Sequence, residues 1–103
     1  MKNASIINVL ITFKNMDATE ALKTYGSDKI SSCLKKYVQQ DTEAHVVLKV
    51  EKNRQIAEVN LNTYGSNFKN SETSDNMYKS IDSLVDSLGV QLRRHKEKVQ
   101  SKH

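Results

Sequence analysis

The sequence predicts a two-layer α+β domain: a four-stranded mixed sheet with two helices on one face, in the order β-α-β-β-β-α. Three observations lead there. Three short runs alternate apolar and polar residues with period two, and a fourth, polar run follows a turn. Two longer stretches carry apolar residues at helical spacing. Polar, turn-forming clusters separate them, with no internal repeat and no linker long enough to divide the 103 residues. Residues 1–103 are therefore expected to form one domain, with loose ends at 1–5 and 100–103.

The first strand is Ile6–Phe13, where Ile7, Val9, Ile11 and Phe13 face one way and Asn8 and Thr12 the other. Asp17 and Thr19 are both good N-caps for a helix over Thr19–Val38. In that helix Leu22, Gly26, Ile30, Cys33, Leu34 and Tyr37 share one arc of about 120°. Gly26 at its middle costs helix stability of about 1 kcal/mol and allows close approach of a neighbour. Ala44–Glu51 and Ile56–Tyr64 alternate around Lys52-Asn53-Arg54-Gln55, which reads as an antiparallel hairpin. Gly65-Ser66-Asn67 is a second turn. It leads into a short polar strand, Phe68–Thr73, suited to a sheet edge. Ser74 and Asp75 offer N-caps for the longest helix, about 76–99. Its Met77, Ile81, Leu84, Val85, Leu88, Leu92 and Val99 fall within about 100°. The helical crossover makes the first two strands parallel and right-handed, and the rest form an antiparallel meander.

Composition and motifs exclude several functions. A single cysteine permits no intramolecular disulfide. No apolar run approaches the roughly 20 residues needed to span a bilayer. The longest, Ile6–Ile11, is broken by Asn8 and is too short for a secretory signal. These features point to the cytoplasm, and neither a membrane nor DNA is expected as a partner. Cys33 falls in an apolar helix stripe, the position of a core thiol rather than a nucleophile. His45, His95 and His103 share no metal spacing. Three separated glycines make no phosphate loop. Asp82 and Asp86 read as helix solvation, not an acid–base pair. No enzyme, cofactor or metal is expected.

Charge is informative through its position. The net charge is +4. Acidic and basic residues balance over 1–88, so the excess lies in 89–103, in Arg93, Arg94, Lys96, Lys98 and Lys102 against Glu97. Arg93, Arg94, Lys96 and Lys98 fan around every side of the last helix except the apolar one. Cations at a helix C-terminus complement its dipole, but two suffice for that. This many on a neutral body point to a polyanion, recognised by shape and charge. Lys23, Lys29, Lys35 and Lys36 on the first helix extend the patch, although single lysines are commonly just solvated. Lys79 is a weaker candidate. His95 continues the buried stripe and fits either an interface or an RNA-facing role. Tyr25 and Tyr37 read as core edge, while Tyr78 stands beside the stripe and is open to base stacking.

Val46-Val47-Leu48-Lys49-Val50-Glu51-Lys52-Asn53-Arg54, Asn76-Met77-Tyr78-Lys79-Ser80-Ile81-Asp82 and Gln91-Leu92-Arg93-Arg94-His95-Lys96-Glu97-Lys98 closely resemble the bacterial ribosome hibernation promoting factors. That family includes the ribosome-associated translation inhibitor called protein Y. The resemblance covers nearly the whole chain after Asn8 and is most specific in the last helix. It implies a fold like double-stranded-RNA-binding domains. It also implies a non-enzyme that fills the mRNA and A- and P-site tRNA channel of the small subunit, blocking translation in stationary phase or stress. Lys23, Lys29, Arg93, Arg94, Lys96 and Lys98 are then expected on phosphates of 16S ribosomal RNA in the decoding region, with Lys36, Lys79, His95 and Tyr78 as lesser contacts. On length the likeness is to the short form, which promotes inactive dimeric ribosomes beside a separate ribosome modulation factor. Asn76 and Ser32 depart from the family's usual acidic residue and lysine. Two other classes stay open on the residues alone: a general structured-RNA-binding module and a protein-interaction domain that modulates transcription.

Overall fold

The computed structural model describes residues 5–100, with side chains placed through Glu97. The loose ends expected in the sequence lie outside the described residues, apart from Ser5 and Gln100. The elements are β1 (Ile7–Lys14), α1 (Glu20–Tyr37), β2 (Thr42–Glu51), β3 (Arg54–Thr63), β4 (Ser66–Ser74) and α2 (Met77–Gln100). The sheet order is β1-β2-β3-β4, with β1 parallel to β2 and the other pairs antiparallel. Both helices pack on one face, α1 over β1 and α2 over β3 and β4. This is the β-α-β-β-β-α order and two-layer arrangement that periodicity predicts.

Register explains the core. Rows of inward side chains cross the sheet, Val9–Ala44–Leu61–Phe68 and Ile11–Val46–Val59–Asn70 among them. Against these rows Ile30 and Leu34 of α1 and Ile81, Leu84 and Leu88 of α2 are fully buried. Gly26 lets α1 settle close: a Cβ there would lie 3.1 Å from Ile11 Cδ1. Cys33 is buried, its Sγ 3.8 Å from the Val85 carbonyl, and burial pushes its thiol up to about 11. That suits a packing thiol, because the nucleophilic form is the thiolate.

The fourth strand is longer than its polar sequence indicates, and its inward face beyond Phe68 is itself polar. Asn70 Nδ2 donates to Gln91 Oε1 at 3.1 Å, and Ser87 Oγ donates to Glu72 Oε2 at 2.7 Å. Here α2 meets the sheet edge through paired polar side chains rather than apolar ones.

Local caps and turns correct several expectations. Thr19, not Asp17, caps α1, its Oγ1 accepting from Leu22 N at 3.2 Å. Asn76, rather than Ser74 or Asp75, caps α2, its Oδ1 accepting from the backbone N–H groups of Tyr78 and Lys79 at 2.8 and 3.3 Å. Ser74 instead accepts from Asn76 N and donates to its carbonyl oxygen. The first hairpin turns on Lys52-Asn53 alone, since Glu51 already pairs with Arg54. The second turns on Tyr64-Gly65, both at positive φ (55° and 73°), the mirror-image turn that matches strand twist. Tyr64 is an unusual residue for that conformation and is held in it. Its hydroxyl accepts from Gln39 N at 2.7 Å, and its own N–H donates to Gln40 Oε1 at 3.0 Å.

Candidate nucleic-acid interface

The two helices run side by side in the same direction. Tyr25 meets Tyr78 and Asp82, Cys33 meets Val85, and Tyr37 approaches Gly89. α1 therefore ends level with Gly89, while α2 continues eleven residues further, about 16 Å at 1.5 Å per residue. The groove between them has a volume of about 320 Å³, and its lining includes Lys29, Lys36 and Arg93 along with Asp86, Gly89 and Val90.

Cations from both helices thus share one concavity. Lys29 Nζ lies 5.4 Å from the centre of the Tyr25 ring, and Lys36 Nζ 5.6 Å from that of Tyr37. Each ammonium group lies over an aromatic face at the groove wall. Arg94 is exposed and Lys96 half-buried on the length of α2 that passes the end of α1. Lys98 lies in the same helix, with its side chain outside the described set. Among the described residues, Lys23, Lys29, Lys36, Arg93, Arg94 and Lys96 form no ion pair; the lysine–carboxylate pairs there involve Lys49 and Lys79. Cations left without carboxylates are available to an external anion.

The candidates separate by place. Lys23 sits about 120° and 140° around α1 from Lys29 and Lys36, toward the far edge of the apolar arc. It is exposed, but the groove does not include it. Lys79 pairs with Asp75 at 3.8 Å on the open surface, a contact of little energy. His95 is turned toward the sheet. Its ring stacks on Tyr64 at 5.9 Å and meets Phe68 edge-on at 5.4 Å, and its Nε2 is buried without a hydrogen-bond partner among the described residues. His95 therefore seats the basic end of α2 on the β3–β4 turn. Tyr78 is 41% exposed.

Two features of the surroundings escape sequence reading. One is Tyr64 as the support of His95. The other is a hydrogen bond from Tyr25 Oη to Asp82 Oδ1 at 2.6 Å, which raises the Tyr25 pKa above its ordinary value. A four-residue Tyr25–Lys29 spacing was a readable signal for the lysine–ring contact; the partners across the groove had none. Among the described residues there is no cluster of metal-binding side chains, and no helix is long and apolar enough to cross a membrane.

Comparison with known proteins agrees with the fold. The family model for sigma 54 modulation protein / S30EA ribosomal protein matches residues 9–100. The chain belongs to that family. Among curated relatives, the ribosome hibernation promoting factor of Salmonella typhimurium is 38% identical over 89 residues, covering 86% of this chain and 93% of that protein. Its counterpart from Azotobacter vinelandii is 36% identical, covering 89% and 85%. Two solved structures share the fold at a TM-score of 0.77. One is a ribosomal subunit interface protein from Coxiella burnetii, 24% identical, covering 87% of this chain and 98% of that one. The other is the N-terminal domain of Thermus thermophilus Protein Y, 25% identical, covering 85% and 98%.

Proposed function

We propose that this chain is a ribosome hibernation factor that binds the small ribosomal subunit and occupies the channel used by mRNA and by A- and P-site tRNA. Membership in the S30EA family supports a ribosome-associated hibernation role, which is non-enzymatic. The observation that carries the finer reading is the set of unpaired cations at the inter-helix groove and on the protruding end of α2.

The mechanism is exclusion by occupancy. Phosphates of 16S ribosomal RNA in the decoding region replace condensed counterions with Lys29, Lys36, Arg93, Arg94 and Lys96, and the released ions supply the driving force. Lys23 and Lys98 add contacts beyond the groove. A bound protein then stands where message and tRNA must lie. In stationary phase or stress this keeps ribosomes silent, and a separate ribosome modulation factor acts beside it in forming inactive ribosome dimers.

A displacement assay tests the reading. Labelled chain is bound to purified small subunits and challenged with mRNA plus tRNA, or with an equal concentration of duplex RNA. Displacement by mRNA and tRNA but not by duplex is the expected result. Equal displacement by duplex identifies a general RNA-binding module instead. Subunit binding that ignores both salt and ribonuclease identifies a protein-interaction domain.

A further inference from the structure

The inter-helix seam beyond the groove, on the side away from the basic cluster, is unlike the rest. Tyr78 opens α2, with its backbone N–H fixed on Asn76 Oδ1 and its ring 41% exposed. Tyr25 braces it from α1. The two rings meet edge-to-face at 4.9 Å and 77°, and Tyr25 is itself pinned through its hydroxyl to Asp82. Lys29 bridges the two regions, since it lies over the Tyr25 ring and also lines the cationic groove.

Carboxylates gather around the tyrosine pair. Asp82 adjoins the tyrosines, and Glu20 and Asp28 lie beside Tyr25 on the outer flank of α1. Carboxylates repel phosphate, so this end does not suit the nucleic-acid backbone. An aromatic face does suit an uncharged base, and a cationic groove running from an aromatic platform is the arrangement that holds single-stranded nucleic acid.

We propose that Tyr78, braced by Tyr25, is a stacking platform for one unpaired base of ribosomal RNA, with the phosphates of neighbouring nucleotides along Lys29, Lys36 and Arg93. The fifteen residues from Tyr78 to Arg93 span about 22 Å of helix, room for several nucleotides. The inference rests on the ribosome-binding reading and adds to it a base contact that charge alone does not provide.

The test measures small-subunit affinity across a potassium chloride series for the unmodified chain and for Tyr78→Phe, Tyr78→Leu and Tyr78→Ala. Thermal melts verify that each variant folds. Stacking on one base predicts a loss of about 5- to 150-fold for Tyr78→Ala, with little loss for Tyr78→Phe. The salt slope should stay unchanged, because no phosphate contact is removed. Chemical probing of the bound subunit should show one unpaired base whose protection disappears in Tyr78→Ala while the other protections persist. Tyr78→Ala binding as tightly as the unmodified chain overturns the platform and leaves the ribosome-binding reading intact. Tyr78→Leu restoring full affinity also overturns it, since an apolar protein contact then explains the site. Absence of salt-sensitive subunit binding by the unmodified chain overturns both.

Discussion

At the scale of single residues, the two helical glycines are predicted to behave differently. A Cβ at Gly89 would meet Tyr37 Cε2 at 3.6 Å and Cys33 Sγ at 3.8 Å, ordinary contacts, so Gly89→Ala removes helix-disfavouring freedom without a clash. It should stabilise the fold by about 0.5–1 kcal/mol, seen as a rise in melting temperature of a few degrees. At Gly26 the same methyl would press on Ile11 Cδ1 at 3.1 Å, so Gly26→Ala should gain less than Gly89→Ala in the same melts. The place of Gly26 in the apolar arc was legible in the sequence, because periodicity marks which residues face the core. The difference between the two glycines was not, since it depends on which atoms lie across the interface. The same limit hid the cap of α2. Ser74, Asp75 and Asn76 can all cap a helix, and only the path of the chain leaving β4 selects Asn76.

At the scale of elements, the first three strands and both helices were readable because apolar spacing is period two or period 3.6. The fourth strand was readable because a turn leads into a polar run suited to a sheet edge. The inward face of β4 was not. Asn70 and Glu72 look like edge polarity, yet they pair with Gln91 and Ser87 of α2, and a binary pattern cannot show polar pairing across a layer. The β3–β4 turn was misplaced for a related reason. Tyr64 is not a turn former, and it holds positive φ through contacts to Gln39, Gln40 and His95, all distant in sequence. The start of α2 offers a direct test of element stability. Asn76→Ala removes the acceptor for two backbone N–H groups and should destabilise the protein by about 1 kcal/mol. Its melting temperature should fall by about 4–8 °C, with a smaller change for Asn76→Asp, which keeps the acceptor.

For the molecule as a whole, the small net charge is organised by the parallel alignment of α1 and α2. That alignment brings Lys29 and Lys36 to the same groove as Arg93 and leaves the last turns of α2 projecting with Arg94 and Lys96. The excess on the last helix was visible in the sequence, but the grouping was not. It excludes Lys23 from the groove and turns His95 toward the sheet, both consequences of tertiary placement. Lys79 pairs locally with Asp75, four residues before it. The most direct test of the account is the affinity for purified small subunits as a function of salt, for the unmodified chain and for a triple variant carrying Arg93→Glu, Arg94→Glu and Lys96→Glu. With about five phosphates engaged, log affinity should fall against log salt with a slope near −4, and the folded triple variant should bind at least 100-fold more weakly. Binding by the triple variant equal to that of the unmodified chain, or an affinity flat in salt, would contradict it.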